Sequence, residues 1–388
     1  MRILYHHRTR GRHVEGVHIR GIVGALRGLG HEVTVLSFPG ADPEHEHSTP
    51  TGAPVHGIGG LVTRLPGVLF EFFEVAYNLV VLLRLPRALR RTRAQLVYER
   101  YSLFMFASIW LTRQRGIPII LEINDSALVE RVRPLWMKRP ARRIEAWCLR
   151  HATGLVFISR QFQQQAEAAY GAIAPSVVSP NAADISCFDP ARFNGGPLRR
   201  ERGIGGQVVC GYVGAFAHWH GTAEFAARIT MRLREQPQLT LLLVGDGRDL
   251  PAVRAQVSER GLGDRVILPG RVAHTDIASW IACMDYAVLP DSNQYGSPMK
   301  VFEFMAMGVA VVAPDYEPLT EVVTDGRTGW LFPRGDVDAC VDKVLALADD
   351  LAQCARVGQT ARDYIVGERQ WRNNAEQLLT LVPSSVSH

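Results

Sequence analysis

The sequence predicts an α/β protein made of two doubly wound parallel-sheet domains, and three observations predict it. Short apolar runs suited to buried strands alternate with stretches of i, i+3, i+4, i+7 apolar spacing along most of the 388 residues. The alternation stops near residue 180 and restarts at Val208. The chain is also longer than one ordinary domain, and repeats of this kind put helices on both faces of a parallel sheet. The expected division is a first domain over 1–180, a Gly-rich linker over 181–206, a second domain over 207–366, and a C-terminal helix and tail over 367–388.

In chain order, Arg2–His6 is the first strand, and a polar loop leads to a helix opened by Gly16 with Ile19, Ile22, Val23 and Leu26 on one face. Glu32–Ser37 is the second strand. Residues 39–60, rich in Pro, Gly and His, read as a long loop. The stretch 61–93 then joins an apolar body to Arg84, Arg87, Arg90, Arg91 and Arg93. Glu71, Glu74 and Asn78 interrupt that body, which leaves it short of the ~18 apolar residues of a membrane span. Strands follow at Gln95–Arg100, Pro118–Ile123 and Gly154–Ile158, with helices at Ser102–Arg115, Ala127–Arg150 and Arg160–Tyr170.

The second set places strands at Val208–Val213, Leu239–Val244, Val266–Leu268 and Tyr286–Leu289. Its helices are Thr222–Glu235, Leu250–Arg260 and Thr275–Cys283. Helical stretches at Asp336–Asp349 and Gln353–Val366 close it, and Arg369–Leu381 follows. Asp336 and Asp338 form a D-x-D that opens a helix after Pro333 and Gly335, which makes it a cap.

Between these lies the most informative stretch, Tyr295 to Val312. Ser297 is suited to an N-cap and Pro298 to the first helical position; Gly308 supplies a left-handed stop, and Val309–Ala313 a strand. An anion at this helix N-terminus would meet backbone N–H groups, the positive helix end and the Lys300 ammonium together. One turn on, Glu303 would accept hydrogen bonds from a polyol. Diphosphate at the helix mouth and ribose on the carboxylate describe a nucleotide-sugar pocket.

Composition narrows the classes. A charge of +5, with 47% apolar and 21% charged residues, fits a globular protein with acidic ligands and no nucleic acid. The six cysteines show no metal-ligand spacing, so no metal is expected and a reduced, cytoplasmic protein is. The first strand begins at Arg2 with no leader before it, and no G-x-G-x-x-G follows that strand, which argues against a dehydrogenase.

The stretch Tyr295–Val312, with Gly245–Gly247, Gly270–Val272 and Asp325–Phe332, and with Glu15–Gly21 and Leu29–Val33 near the start, resembles the retaining GT-B glycosyltransferases of family 4. Tyr98–Ser102 and Leu121–Asp125 resemble the branch that builds bacterial surface polysaccharides. The resemblance implies transfer of a sugar from a nucleoside diphosphate to a hydroxyl with retention, no metal and no other cofactor. The acceptor would be a saccharide or lipid-linked saccharide, in exopolysaccharide or lipopolysaccharide synthesis. Donor contacts would come from Gly16, Gly214, His218, His220, Gly245, Gly270, Arg271 and Val272. More would come from Tyr295, Ser297, Pro298, Met299, Lys300, Val301 and Glu303. Lys300 would stabilise the leaving diphosphate; Glu122 and Asn124, at a strand end, would lie on the acceptor side, with Glu122 orienting the attacking hydroxyl. The last helix would cross back to the first domain, and peripheral contact with the cytoplasmic membrane face would come from 61–93 with Lys138, Arg139, Arg142 and Arg143.

Two departures stand out. Tyr295 occupies the place of the family's first acidic residue, and the loop Gly214–Gly221 carries His218 and His220 where an Arg and a Lys usually meet the diphosphate. Two other classes share these features: a GT-B-type nucleotide-sugar epimerase and a non-catalytic subunit of a polysaccharide assembly complex.

Overall fold

The structure, a computed structural model, describes residues 1–9, 14–39, 41, 67–129, 134–293 and 296–384. Tyr295 and nearly all of the loop expected at 39–60 lie outside the described residues. The chain divides into two compact units, Met1–Ser179 with Trp371–His388, and Pro180–Gln370.

In the first unit, six parallel strands form one sheet: β1 (Arg2–His6), β2 (Glu32–Leu36), β3 (Leu96–Arg100), β4 (Ile119–Ile123), β5 (Gly154–Phe157) and β6 (Ser176–Val178). They lie in the order β2-β1-β3-β4-β5-β6. All five residues of β4 are buried, as a strand covered on both faces requires. The C-terminal helix Trp371–Leu379 belongs to this unit. A Cβ on Gly21 would lie 2.4 Å from the Trp371 ring, so the bare glycine backbone makes room for the indole, which packs edge-on against His18.

The second unit holds β7 (Val208–Val213), β8 (Leu239–Val244), β9 (Val266–Gly270), β10 (Tyr286–Val288), β11 (Val311–Pro314) and β12 (Gly329–Phe332). These too are parallel, in the order β12-β11-β10-β7-β8-β9. Residues 181–206 lie in this unit. They include a helix, Gly196–Glu201, and Gly195 crosses the backbone at Ala282 so closely that a Cβ would lie 2.1 Å from its carbonyl oxygen. Two parallel sheets, each with helices between its strands, are the two doubly wound domains that the sequence predicts.

Some boundaries move for physical reasons. The helix expected from Ser102 runs only over Ala107–Gln114, because Phe104 takes a left-handed φ of 66° and the first turn is capped from elsewhere. The Asn78 amide oxygen accepts from Phe106 N–H (3.0 Å) and Ala107 N–H (2.9 Å). The helix expected from Ala127 is Lys138–His151. The D-x-D does cap: the Asp336 carboxylate accepts from Ala339 N–H at 2.9 Å.

Candidate active site

In the second sheet the strand order reverses between β7 and β10, and in such sheets ligands bind beyond the carboxyl ends of the strands at that switch. Beyond β7 comes Gly214; beyond β10 comes the helix Met299–Ala306, whose second residue is Lys300. The two meet. A Cβ on Gly214 would lie 2.3 Å from Lys300 Nζ, and its φ of +151° also favours glycine. The neighbouring loops close backbone on backbone: a Cβ on Gly245 would lie 1.8 Å from the Gly214 carbonyl oxygen, and Gly245 N–H donates to Gly270 C=O at 2.9 Å.

Lys300 Nζ donates to Tyr212 Oη at 3.1 Å and lies 3.3 Å from His220 Nε2. Tyr212 Oη itself donates to the Ala215 carbonyl, so it is an acceptor toward the lysine. His220 Nδ1 faces the Asp291 carbonyl at 3.4 Å; that nitrogen carries the proton, and Nε2 accepts from the lysine. Both partners are therefore neutral. Burial pushes the Lys300 pKa down to about 7, with Glu303 opposing the shift. Burial, then the lysine's charge, pushes His220 down to about 3, with the Asp291 carbonyl opposing. His220, which stands where the resembled family has a basic residue, thus faces the lysine as a neutral acceptor. His218 stays exposed in the short 3₁₀ turn His218–His220.

Other expected donor residues are placed as follows. Ser297 does not cap the helix, which begins at Met299; its hydroxyl accepts from Asn181 N–H at 3.0 Å, fastening the loop to the start of the 181–206 segment. Pro298 precedes the helix in extended conformation, outside its first turn. The side chains of Met299 and Val301 are buried, so toward a ligand they can offer only backbone. Glu303 is buried one turn on, with His274 Nε2 at 3.6 Å from Oε1. His274 lies four residues after Gly270, and so ties the Gly270–Arg271–Val272 loop to Glu303. Sequence reasoning missed His274 and Tyr212, since both are brought in by tertiary contact and neither belongs to a motif.

The first unit holds a different kind of site. Glu122, last but one in β4, is 1% exposed. His18 Nε2 lies 2.6 Å and Arg100 Nη1 2.9 Å from Oε1, which also accepts from Asn124 Nδ2; Tyr5 Oη lies 3.4 Å from Oε2. Burial alone would raise its pKa, but His18 and Arg100, with hydrogen bonds from His18 and Asn124, hold it at about 2. A cavity of about 10 Å³ lined by His18, Tyr98, Glu122 and Trp371 has room for at most one water. Glu122, expected to orient an incoming hydroxyl, is thus the hub of a charge network within the first unit. Asn124 is one of its donors. Gly16 lies inside the first turn of the helix Val14–Gly28 instead of opening it.

Among the described residues no group of three or more His, Cys, Asp or Glu side chains could hold a metal ion.

The glycosyl transferase 4-like domain family matches residues 15–182, and the glycosyl transferases group 1 family matches residues 207–350. The 2-deoxystreptamine glucosyltransferase of Streptomyces kanamyceticus is 25% identical over 370 residues, 88% of this chain and 90% of that protein. The lipopolysaccharide core biosynthesis mannosyltransferase LpsB of Rhizobium meliloti (strain 1021) is 29% identical over 188 residues, 45% of this chain and 53% of that protein. Among solved structures, Anabaena HepE in complex with UDP superposes with a TM-score of 0.72 at 17% identity, over 98% of this chain and 99% of that one. The two matched segments, in this order on two parallel-sheet units, identify the chain as a member of the group 1 glycosyltransferases, family 4, with the GT-B fold.

Proposed function

We propose that the chain transfers a sugar from a nucleoside diphosphate donor to a hydroxyl of a saccharide or lipid-linked saccharide, with retention of configuration, in building an exopolysaccharide or lipopolysaccharide. The observation that carries the donor half is Lys300: a desolvated amine at the topological switch whose hydrogen-bond partners, Tyr212 and His220, are both neutral. A diphosphate is the anion that would complete it. As the sugar–oxygen bond breaks, charge grows on the leaving diphosphate, and Lys300 with the N–H groups of the first helical turn would stabilise it there. Glu303 and His274 would hold the ribose, and the Gly270–Val272 backbone would border the base. Met1–Ser179 would carry the acceptor, with Asn124 near it and Glu122 setting the position of Arg100 and His18. UDP in the HepE complex and the lipopolysaccharide role of LpsB support the donor and pathway readings.

The test incubates the full chain with a panel of nucleotide sugars and follows nucleoside diphosphate release, with and without a saccharide or lipid extract. Release stimulated by extract and unchanged by a chelator is expected. No release with any donor would overturn the transferase reading in favour of a non-catalytic protein.

A further inference from the structure

The first half of the helix Gly67–Thr92 buries polar groups and exposes apolar ones. Its inward face carries Glu71, Glu74 and Asn78, each held by polar partners, and then the apolar Tyr77, Val81, Leu85, Ala88 and Leu89. Glu71 accepts from Trp136 N–H and Met137 N–H at 2.6 Å each, Glu74 pairs with Arg8, and Asn78 caps the helix Ala107–Gln114. The outward face carries Val68, Leu69, Phe72, Phe73, Leu79 and Leu83. At 100° per residue these fall on one stripe, about 22 Å long from Val68 to Leu83. Leu79 and Leu83 are 64% and 61% exposed, and the indole of Trp136, beside Gly67, is 65% exposed. A water-soluble surface helix keeps its outward face polar along its whole length.

Charge says what covers the stripe. Arg87, Arg90 and Arg91 continue the same helical stripe at its C-terminal end, all exposed. At the other end Trp136 is followed by exposed Lys138 and Arg139. Between Gly67 and Arg93 no acidic side chain is exposed, because both glutamates are buried. A second copy laid on this stripe, parallel or antiparallel, would bring basic ends against basic ends. An anionic bilayer matches both features: acyl chains for the apolar centre and phosphate headgroups for the cationic ends. No helix among the described residues is long and apolar enough to cross a membrane, so the helix would lie in the interface.

We propose that the outward face of Gly67–Thr92, with Trp136 at one end and the Arg87–Arg91 cluster at the other, docks the protein onto the surface of an anionic phospholipid bilayer. The proposal stands independently of the donor reading.

Sedimentation of the full chain with phosphatidylglycerol–phosphatidylcholine vesicles, against phosphatidylcholine alone, tests it. Binding to the anionic vesicles is expected, weakening with salt. The variant Phe72→Ser/Phe73→Ser/Leu79→Ser/Leu83→Ser should lose at least ~100-fold in partitioning, and Arg87→Glu/Arg90→Glu/Arg91→Glu at least ~10-fold. All seven positions are exposed, so the unfolding midpoint should stay within a few degrees of wild type and report that the variants fold. Equal recovery on the two vesicle types, or wild-type binding by the apolar variant, would overturn the proposal. So would a concentration-dependent dimer that the apolar variant abolishes without changing vesicle binding.

Discussion

Each unit of this protein sets an ionisable side chain near the carboxyl end of its sheet, Glu122 in the first and Lys300 in the second, and the two are treated in opposite ways. Glu122 is given every partner a carboxylate can use, with two basic side chains, an amide and a phenol around it. Its pKa falls to about 2 despite burial. Lys300 receives a phenol and a neutral imidazole, and its pKa is pushed down to about 7. The first arrangement is complete without a ligand. The second costs free energy until an anion arrives, and such perturbed, incompletely paired groups are where function concentrates.

The largest effect should separate these two roles. Glu122→Ala removes the carboxylate that both Arg100 and His18 face, and breaking a buried pair from one side costs about 3–5 kcal/mol. Urea unfolding of the full chain should show that loss. Wild-type stability with a collapse in turnover would instead return Glu122 to the reacting groups. The complementary change, Lys300→Ala, should leave stability equal or improved, since it removes a desolvated amine. Turnover should fall by about 10² to 10³-fold, and more than donor affinity, because the diphosphate gains charge as the bond breaks. Near-normal turnover would take Lys300 out of the site.

How much of this was legible follows the same division. The parallel sheets, and the helix bearing Lys300 and Glu303, were readable because their signals are local: apolar runs, a Pro before the helix, Gly308 after it. The partners were not. Tyr212 and His220 reach Lys300 across 88 and 80 residues. Ser297 looked like an N-cap by position, yet its hydroxyl is taken by Asn181, 116 residues away. Glu71, Glu74 and Asn78 read as polar interruptions of an apolar stretch; they in fact point inward, and only tertiary partners could show that.

Glu303 tests whether the incomplete site extends one turn along its helix. If it and His274 grip the ribose, Glu303→Ala should weaken nucleoside diphosphate binding by about 10 to 100-fold, since a hydrogen bond to a charged group contributes roughly 1.5–3 kcal/mol. The unfolding midpoint without ligand should move little, because His274, its ion-pair partner, is exposed and the loss of the carboxylate leaves Lys300 able to shed its proton. Calorimetric titration with UDP or GDP reads it. Unchanged affinity with lost stability would make the carboxylate structural, like Glu122.

The smallest effect is the one that most directly reads the missing anion. With a pKa of about 7, Lys300 is largely neutral at pH 8 in the free protein. A bound diphosphate would restore the charge, so binding should draw in a proton. Affinity should then fall by up to ~10-fold per pH unit above 7, until the pKa of the complex is reached. Stability of the free protein runs the other way. Between about 7 and the ordinary lysine value of 10.5, the unfolded chain holds a proton that the native state has shed, so this group's contribution to stability rises with pH. Glu122 has a dependence of the same sign at acid pH: its contribution is present above the ordinary value of 4.5 and is lost as pH falls through about 2. Calorimetry of nucleoside diphosphate binding in buffers of different ionisation enthalpy measures the proton count. Uptake approaching one proton at pH 8, abolished in Lys300→Ala, is expected; uptake that persists in the variant would assign the titrating group elsewhere.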